Sequence, residues 1–115
     1  MRSRWIRRTS GSHRSKPPTP RCRGGVGWAD VEAVELNEAF AVQSLACVDA
    51  WKINPDIVNT WGGAIAIGHP LGPSGARILG TLAHRLVADR QRWGIAAICI
   101  GVGQALAVVL ENVSS

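Results

Sequence analysis

The apolar run from Trp93 to Leu110 leaves this chain few ways to fold. Its length suits a membrane-spanning helix. Against that, Gly94, Gly101 and Gly103 interrupt it, Gln104 sits inside it, and "GVGQ" divides it in two. The halves, "IAAICI" and "ALAVVL", are strand-length and rich in branched residues. They read as two buried strands joined by a tight turn, and no membrane span is expected.

The sequence ahead of this hairpin alternates strand and helix signals. "VEAVELN" reads as a strand and "EAFAVQSLACVDAWK" as a helix, with Phe40, Leu45, Val48 and Trp51 able to share one face. "NPDIVNTW" holds a Pro-Asp turn. After Pro73, the residues Ile78, Leu79, Leu82, Ala83, Leu86 and Val87 recur at helical spacing, and His84 reads as a structural or surface residue. Helices feeding adjacent strands make a layered α/β structure.

Charge separates the chain into two parts. Residues 1–24 hold eight of the thirteen Lys and Arg and none of the eight acidic residues. The remainder is mildly acidic, so the sequence pI of about 10.1 describes a tail. That tail, residues 1–25, lacks hydrophobic periodicity, is rich in Pro, Ser, Thr and Gly, and is expected to be disordered. Three explanations fit it: a mitochondrial transit peptide, a basic arm for an acidic partner, or a non-native start. A nucleic-acid role is not expected without stacking aromatics or a recognised fold. The folded domain is expected over residues 26–115. Cys22, Cys47 and Cys99 are odd in number and scattered, as in a reducing compartment. With His13, His69 and His84 they form no metal-ligand spacing, so no metal is expected. "NVS" at Asn112 matches a glycosylation acceptor but reads as a chance terminal match.

The stretch "GGAIAIGHPLGPSGAR", Gly62–Arg77, sets five glycines and two prolines around one histidine. Glycine permits positive φ and close backbone approach, whereas proline fixes φ and removes a donor. Such a segment suits a tight strand-to-helix loop, or a site where another group must approach the main chain. On its own, His69 is open to either reading.

Three blocks in order carry more weight: "NEAFA" at Asn37–Ala41, "GGAIAIGHPLG" at Gly62–Gly72, and "CIGVG" at Cys99–Gly103. Together they resemble the C-terminal signature blocks of the thiolases, the acyl-CoA C-acyltransferases, over about Val26 to Val113. The β-ketoacyl synthases, on the same fold, lack this Asn, His, Cys-x-Gly series. The resemblance implies the C-terminal half-domain of a layered α/β/α fold. It also implies acyl transfer between coenzyme A thioesters, as in fatty-acid β-oxidation, with no bound cofactor. The compartment implied is the cytoplasm, or the mitochondrion if the tail is a transit peptide.

Roles follow residue by residue from the same resemblance. His69 matches the histidine that takes the proton of a nucleophilic cysteine; a thiol of pKa about 8.5 needs such a partner to be mostly thiolate. Cys99 matches the second cysteine, which moves a proton to or from the other substrate. Asn37 matches the asparagine that orders a water at the substrate thioester oxygen. Gly101 matches a glycine whose backbone N–H helps form the second oxyanion hole. Glu38 is read as opening a helix, without a chemical role.

The departures are also informative. The family pattern C-x-G-G-G-x-G meets Val102 and Ala105 at two of its glycines, Trp61 precedes the glycine-rich loop, and Pro73 stands where a small residue is usual. Ala105 and Trp61 are expected to disturb loop geometry. No cysteine matches the family nucleophile: Cys22 lacks its context and Cys47 reads as core. The expectation is therefore a thiolase portion that is inactive alone. It would pair with itself or with thiolase subunits, its acyl-CoA substrate shared with them.

Overall fold

The computed structural model describes residues 2–5 and 25–114. Its centre is the hairpin of β3 (Trp93–Gly101) and β4 (Gln104–Glu111), paired antiparallel from Trp93↔Glu111 to Gly101↔Gln104. The interrupted apolar run thus folds as two strands. Its turn has positive φ at both Val102 (48°) and Gly103 (75°), the combination that matches hairpin twist.

On the other side of β3 lies β2 (Ala33–Leu36), parallel and in register from Ala33↔Gly94 to Leu36↔Ala97. A parallel pair needs a long crossover. Here it contains α1 (Ala41–Trp51), the single-turn α2 (Ala64–Ile67) and α3 (Ser74–Ala88). A fourth strand, β1 (Arg2–Trp5), pairs antiparallel with β4, giving the order β1-β4-β3-β2.

Side-chain alternation sends the sheet's apolar residues to two faces. Ala33, Ala96, Val108 and Leu110 meet Ile78, Leu82 and Leu86 of α3. Val34, Leu36, Ile95, Ala97 and Val109 form the other core, covered by Cys47, Val48 and Trp51 of α1. Trp28 stacks on Trp51 with ring centroids 5.2 Å apart. The result is the expected α/β/α layering.

Several expectations change. Residues 2–5 were expected to be disordered and instead form an edge strand; the rest of the tail, with His13 and Cys22, lies outside the described residues. Phe40 and Leu45 do not join Val48 and Trp51 on an inner face, being 73% and 71% exposed. Phe40 is the extended residue before α1, so it escapes helical phase altogether. Glu38 does not begin a helix, because α1 starts only at Ala41. Ala105 pairs opposite Cys99 outside the left-handed region, beside the register shift between Cys99 and Gly101. Trp61 is half exposed beside the loop.

Candidate active site

The site gathers at the C-terminal ends of the parallel strands β2 and β3, where open α/β sheets place their ligands. The sheet register continues one residue past β2: the Asn37 N–H donates to the Ala97 carbonyl at 2.9 Å. Asn37 is thereby fixed at the strand end with its side chain buried. Asn59 reinforces the same end. Its Oδ1 accepts the Leu36 N–H and its Nδ2 donates to the Leu36 carbonyl, both at 2.8 Å. One side-chain amide thus imitates a paired strand residue.

Asn59 also ties the sheet to the histidine loop through Glu38. Its Nδ2 donates to Glu38 Oε1 at 3.1 Å, and Glu38 Oε2 accepts the Ile65 N–H at 2.9 Å, in the first turn of α2. Gly63 leaves room for this contact, because a Cβ there would displace the Glu38 carboxylate. The far end of the loop is held by Arg77, whose Nη1 donates to the Gly68 carbonyl at 2.6 Å. Glycine and carboxylate together carry the backbone to His69.

His69 is half-buried. Its Nε2 lies 3.3 Å from Asn37 Nδ2, and its Nδ1 lies 2.7 Å from the Oγ of fully buried Ser74. Ser74 opens α3 and donates its hydroxyl to the Pro70 carbonyl at 2.6 Å. Asn37 and His69, expected from sequence to act together, are in direct contact. Asn37 Oδ1 is buried without a partner among the described residues, an acceptor that a water would satisfy.

Cys99 stands exposed near the end of β3, two residues beyond the Ala97 that pairs with Asn37's strand. Among the described residues no hydrogen bond joins it to His69 or Asn37. Gly101 follows at φ 129°, where the ladder shifts register between Cys99 and Gly101. Cys47 is half-buried and accepts from Gln43 Nε2 at 3.5 Å, consistent with a packing role. His84 is exposed. Asn112 is buried and donates to the Leu86 and Gln91 carbonyls, so its amide is engaged in packing the C-terminus.

The residues that sequence reasoning overlooked are Ser74, Asn59, and the ion pair of Arg85 with Glu35. Ser74 had a usable signal, a hydroxyl five residues after the histidine at a helix start. The other two depend on a crossover that sequence spacing does not display. Two concavities do not include His69 in their lining: one beside Val87, Arg90, Asn112 and Ser114, and an apolar one against Ile78, Leu79, Ile98 and Leu106. Among the described residues no group of three or more His, Cys, Asp or Glu could hold a metal ion.

Comparison with known proteins identifies the family. Residues 21–112 match the family "Thiolase, C-terminal domain", beginning slightly ahead of the expected start at Val26. A 3-ketoacyl-CoA thiolase of Colwellia psychrerythraea is 50% identical over 93 residues, covering 79% of this chain and 24% of that protein. A probable acetyl-CoA acyltransferase of Staphylococcus aureus is 54% identical over 84 residues, covering 73% of this chain and 21% of that protein. A 3-ketoacyl-CoA thiolase of Acinetobacter baumannii is again 50% identical over 93 residues. The chain spans about a quarter of the length of these relatives. Through its C-terminal domain, the chain belongs to the thiolase family.

Proposed function

We propose that this chain supplies the proton-transfer half of an acyl-CoA C-acyltransferase site, acting in 3-ketoacyl-CoA thiolysis or the reverse Claisen condensation. The supporting observation is the 3.3 Å approach of Asn37 to His69 at the strand end next to Cys99. His69 takes the proton of a nucleophilic thiol provided by another part of the enzyme. The thiolate then attacks the thioester or ketone carbonyl. Cys99 moves a proton to or from the second substrate: off the α-carbon of an acetyl group in synthesis, off the CoA thiol in degradation. Asn37 holds a water that, with His69, stabilises the thioester oxygen. The Gly101 N–H serves the second oxyanion. Donors preorganised toward such developing charge are each worth roughly 3–4 kcal/mol.

In this reading the chain alone is not a catalyst, since none of Cys22, Cys47 and Cys99 stands in the nucleophile's context. A second reading makes it a non-catalytic portion that associates with intact thiolase subunits. Exposed apolar side chains favour it: Phe40, Val42, Leu45 and Leu71 are each more than two-thirds exposed. The compartment we assign is the cytoplasm. No helix among the described residues is long and apolar enough to cross a membrane.

The experiment is a graft. Residues 26–112 replace the matching segment of the S. aureus relative, and thiolysis of acetoacetyl-CoA is followed by loss of the substrate enolate. The expected result is activity in the graft and none in the isolated chain. A folded graft without activity would reject the catalytic reading and leave the associating one. Turnover by the isolated chain above a Cys99→Ala control would reject the claim of a missing nucleophile.

A further inference from the structure

We infer that Ser74 is a positioning residue that fixes the proton of His69 on Nδ1 and leaves Nε2 bare as the basic atom. The chemical use of that atom rests on the proposed role of His69, whereas its protonation follows from hydrogen positions alone. A serine hydroxyl has one proton to give and lone pairs to receive. Ser74 Oγ lies 2.6 Å from the Pro70 carbonyl oxygen, a separation that two oxygens hold only with a hydrogen between them. The hydroxyl proton is therefore committed to Pro70. At 2.7 Å from Oγ, His69 Nδ1 must then be the donor.

The other side of the ring agrees. Asn37 presents Nδ2, a donor, to Nε2 at 3.3 Å. A neutral imidazole with Nδ1–H has its lone pair there to accept. The opposite tautomer would set N–H against N–H at Asn37. It would also require the Ser74 proton to leave Pro70 for Nδ1. With the Asn37 amide in this orientation, one neutral tautomer satisfies all three contacts.

The consequence is chemical. When Nε2 takes up a proton, the Nδ1–H remains on Ser74, whose own proton remains on the Pro70 carbonyl. The positive charge thus faces a chain of neutral dipoles, a weaker attraction than a carboxylate orienter gives. The ring is aimed and its tautomer set by neutral groups alone.

The test reads the ring nitrogens of the 115-residue chain in a long-range 1H–15N spectrum, with His69 assigned by His69→Gln. Above the histidine titration range, His69 is expected to show protonated Nδ1 and bare Nε2. In an Asn37→Ala background the proton should stay on Nδ1; adding Ser74→Ala should move it predominantly to Nε2, the tautomer free histidine prefers, and Ser74→Thr in its place should return it to Nδ1. A wild-type His69 protonated on Nε2 overturns the inference, and so does a ring that Ser74→Ala leaves unchanged in the Asn37→Ala background. If these variants do not fold, the wild-type spectrum alone decides. The readout needs no turnover, so failure of the acyltransferase reading would leave it intact.

Discussion

Arg85 of α3 reaches through the sheet's covering layer to Glu35 of β2, Nη1 to Oε1 at 2.5 Å, with the two side chains 1% and 3% exposed. The guanidinium also donates to the carbonyls of Val34 and Ile57, at 3.2 Å each. It therefore joins the helix, the strand and the crossover turn at one point. Charges this deep cost much desolvation, and removing one partner leaves the other unpaired. Arg85→Met should lower the unfolding free energy by about 3–5 kcal/mol. The double substitution Glu35→Met with Arg85→Met should recover most of it. Denaturant midpoints of the single and double variants check this, and equal losses in both would contradict the pairing argument.

The same carboxylate gives a pH dependence. Burial raises the Glu35 pKa above its ordinary 4.5, and the hydrogen bond and charge of Arg85 only partly oppose the shift. A carboxyl that holds its proton more firmly folded than unfolded contributes stability that is complete below the unfolded value. That contribution is lost as the pH rises through the folded one. Wild-type stability should therefore fall relative to Glu35→Gln as pH increases from about 4.5. Parallel stability curves for the two proteins would show that Arg85 cancels the cost of burial.

At the hairpin tip, Val102 is held at φ 48° with its side chain fully in solvent. A β-branched residue in the left-handed region is strained by roughly 1–2 kcal/mol, and here no packing offsets it. Val102→Gly should raise stability by about 1 kcal/mol, the relief of strain being reduced by glycine's greater unfolded entropy. Thermal melts of the two chains decide it. An unchanged or lower melting temperature would mean that the valine is not strained.

Gly63 and Glu38 should behave as one unit. A methyl at residue 63 must displace the carboxylate, which frees the Ile65 N–H and Asn59 Nδ2 together. Gly63→Ala and Glu38→Ala should each speed hydrogen exchange at Ile65, and the double variant should add little to either. Fully additive effects would show that the two residues act separately.

Much of this was legible in the sequence, for identifiable reasons. The hairpin was readable from two strand-length branched runs split by "GVGQ", and α3 from helical spacing, of which Ile78, Leu82 and Leu86 are buried whereas Val87 faces solvent. Helix α1 was legible in extent but not in facing. Its residues are half-covered or exposed, so Phe40 and Leu45 could be phased only by knowing where the sheet lay. Asn37 and His69 were found through their motifs. Asn59, which holds Leu36 and Glu38, and Ser74, the partner of His69, act through backbone geometry, and a polar residue in a loop carries no mark of which carbonyl it meets. Glu38 was misplaced for the same reason: its carboxylate serves the helix start at α2, not the one nearest in sequence.

The exposed apolar residues predict the behaviour of the isolated chain. Phe40, Val42 and Leu45 on and before α1, Ile65 and Ile67 on α2, and Ile100, Val102 and Leu106 at the hairpin tip all face solvent. Patches of this kind promote association. Light scattering after size exclusion should show oligomers or concentration-dependent aggregation at micromolar chain. A monomer at all concentrations would remove the argument for an associating surface.

The roles proposed for His69 and Cys99 predict that mutations at the two residues block different steps. In the grafted enzyme, His69→Ala should suppress the covalent acyl-enzyme itself, because the nucleophilic thiol loses the base that takes its proton. Cys99→Ala should still acylate from an acyl-CoA donor, then stall before carbon–carbon bond formation. It should also fail to exchange the α-protons of acetyl-CoA with solvent. The structure gives a reason for the contrast: His69 is held between Asn37 and Ser74, whereas Cys99 lies outside that hydrogen-bonded chain on a neighbouring strand. A proton-transfer group typically contributes about 100- to 10,000-fold, so either loss is measurable. Rapid quench with labelled acyl-CoA reads acylation directly, and deuterium uptake into acetyl-CoA reads the second step. Equal loss of acylation in both variants would refute the division of labour, and normal turnover in either would remove that residue from the mechanism.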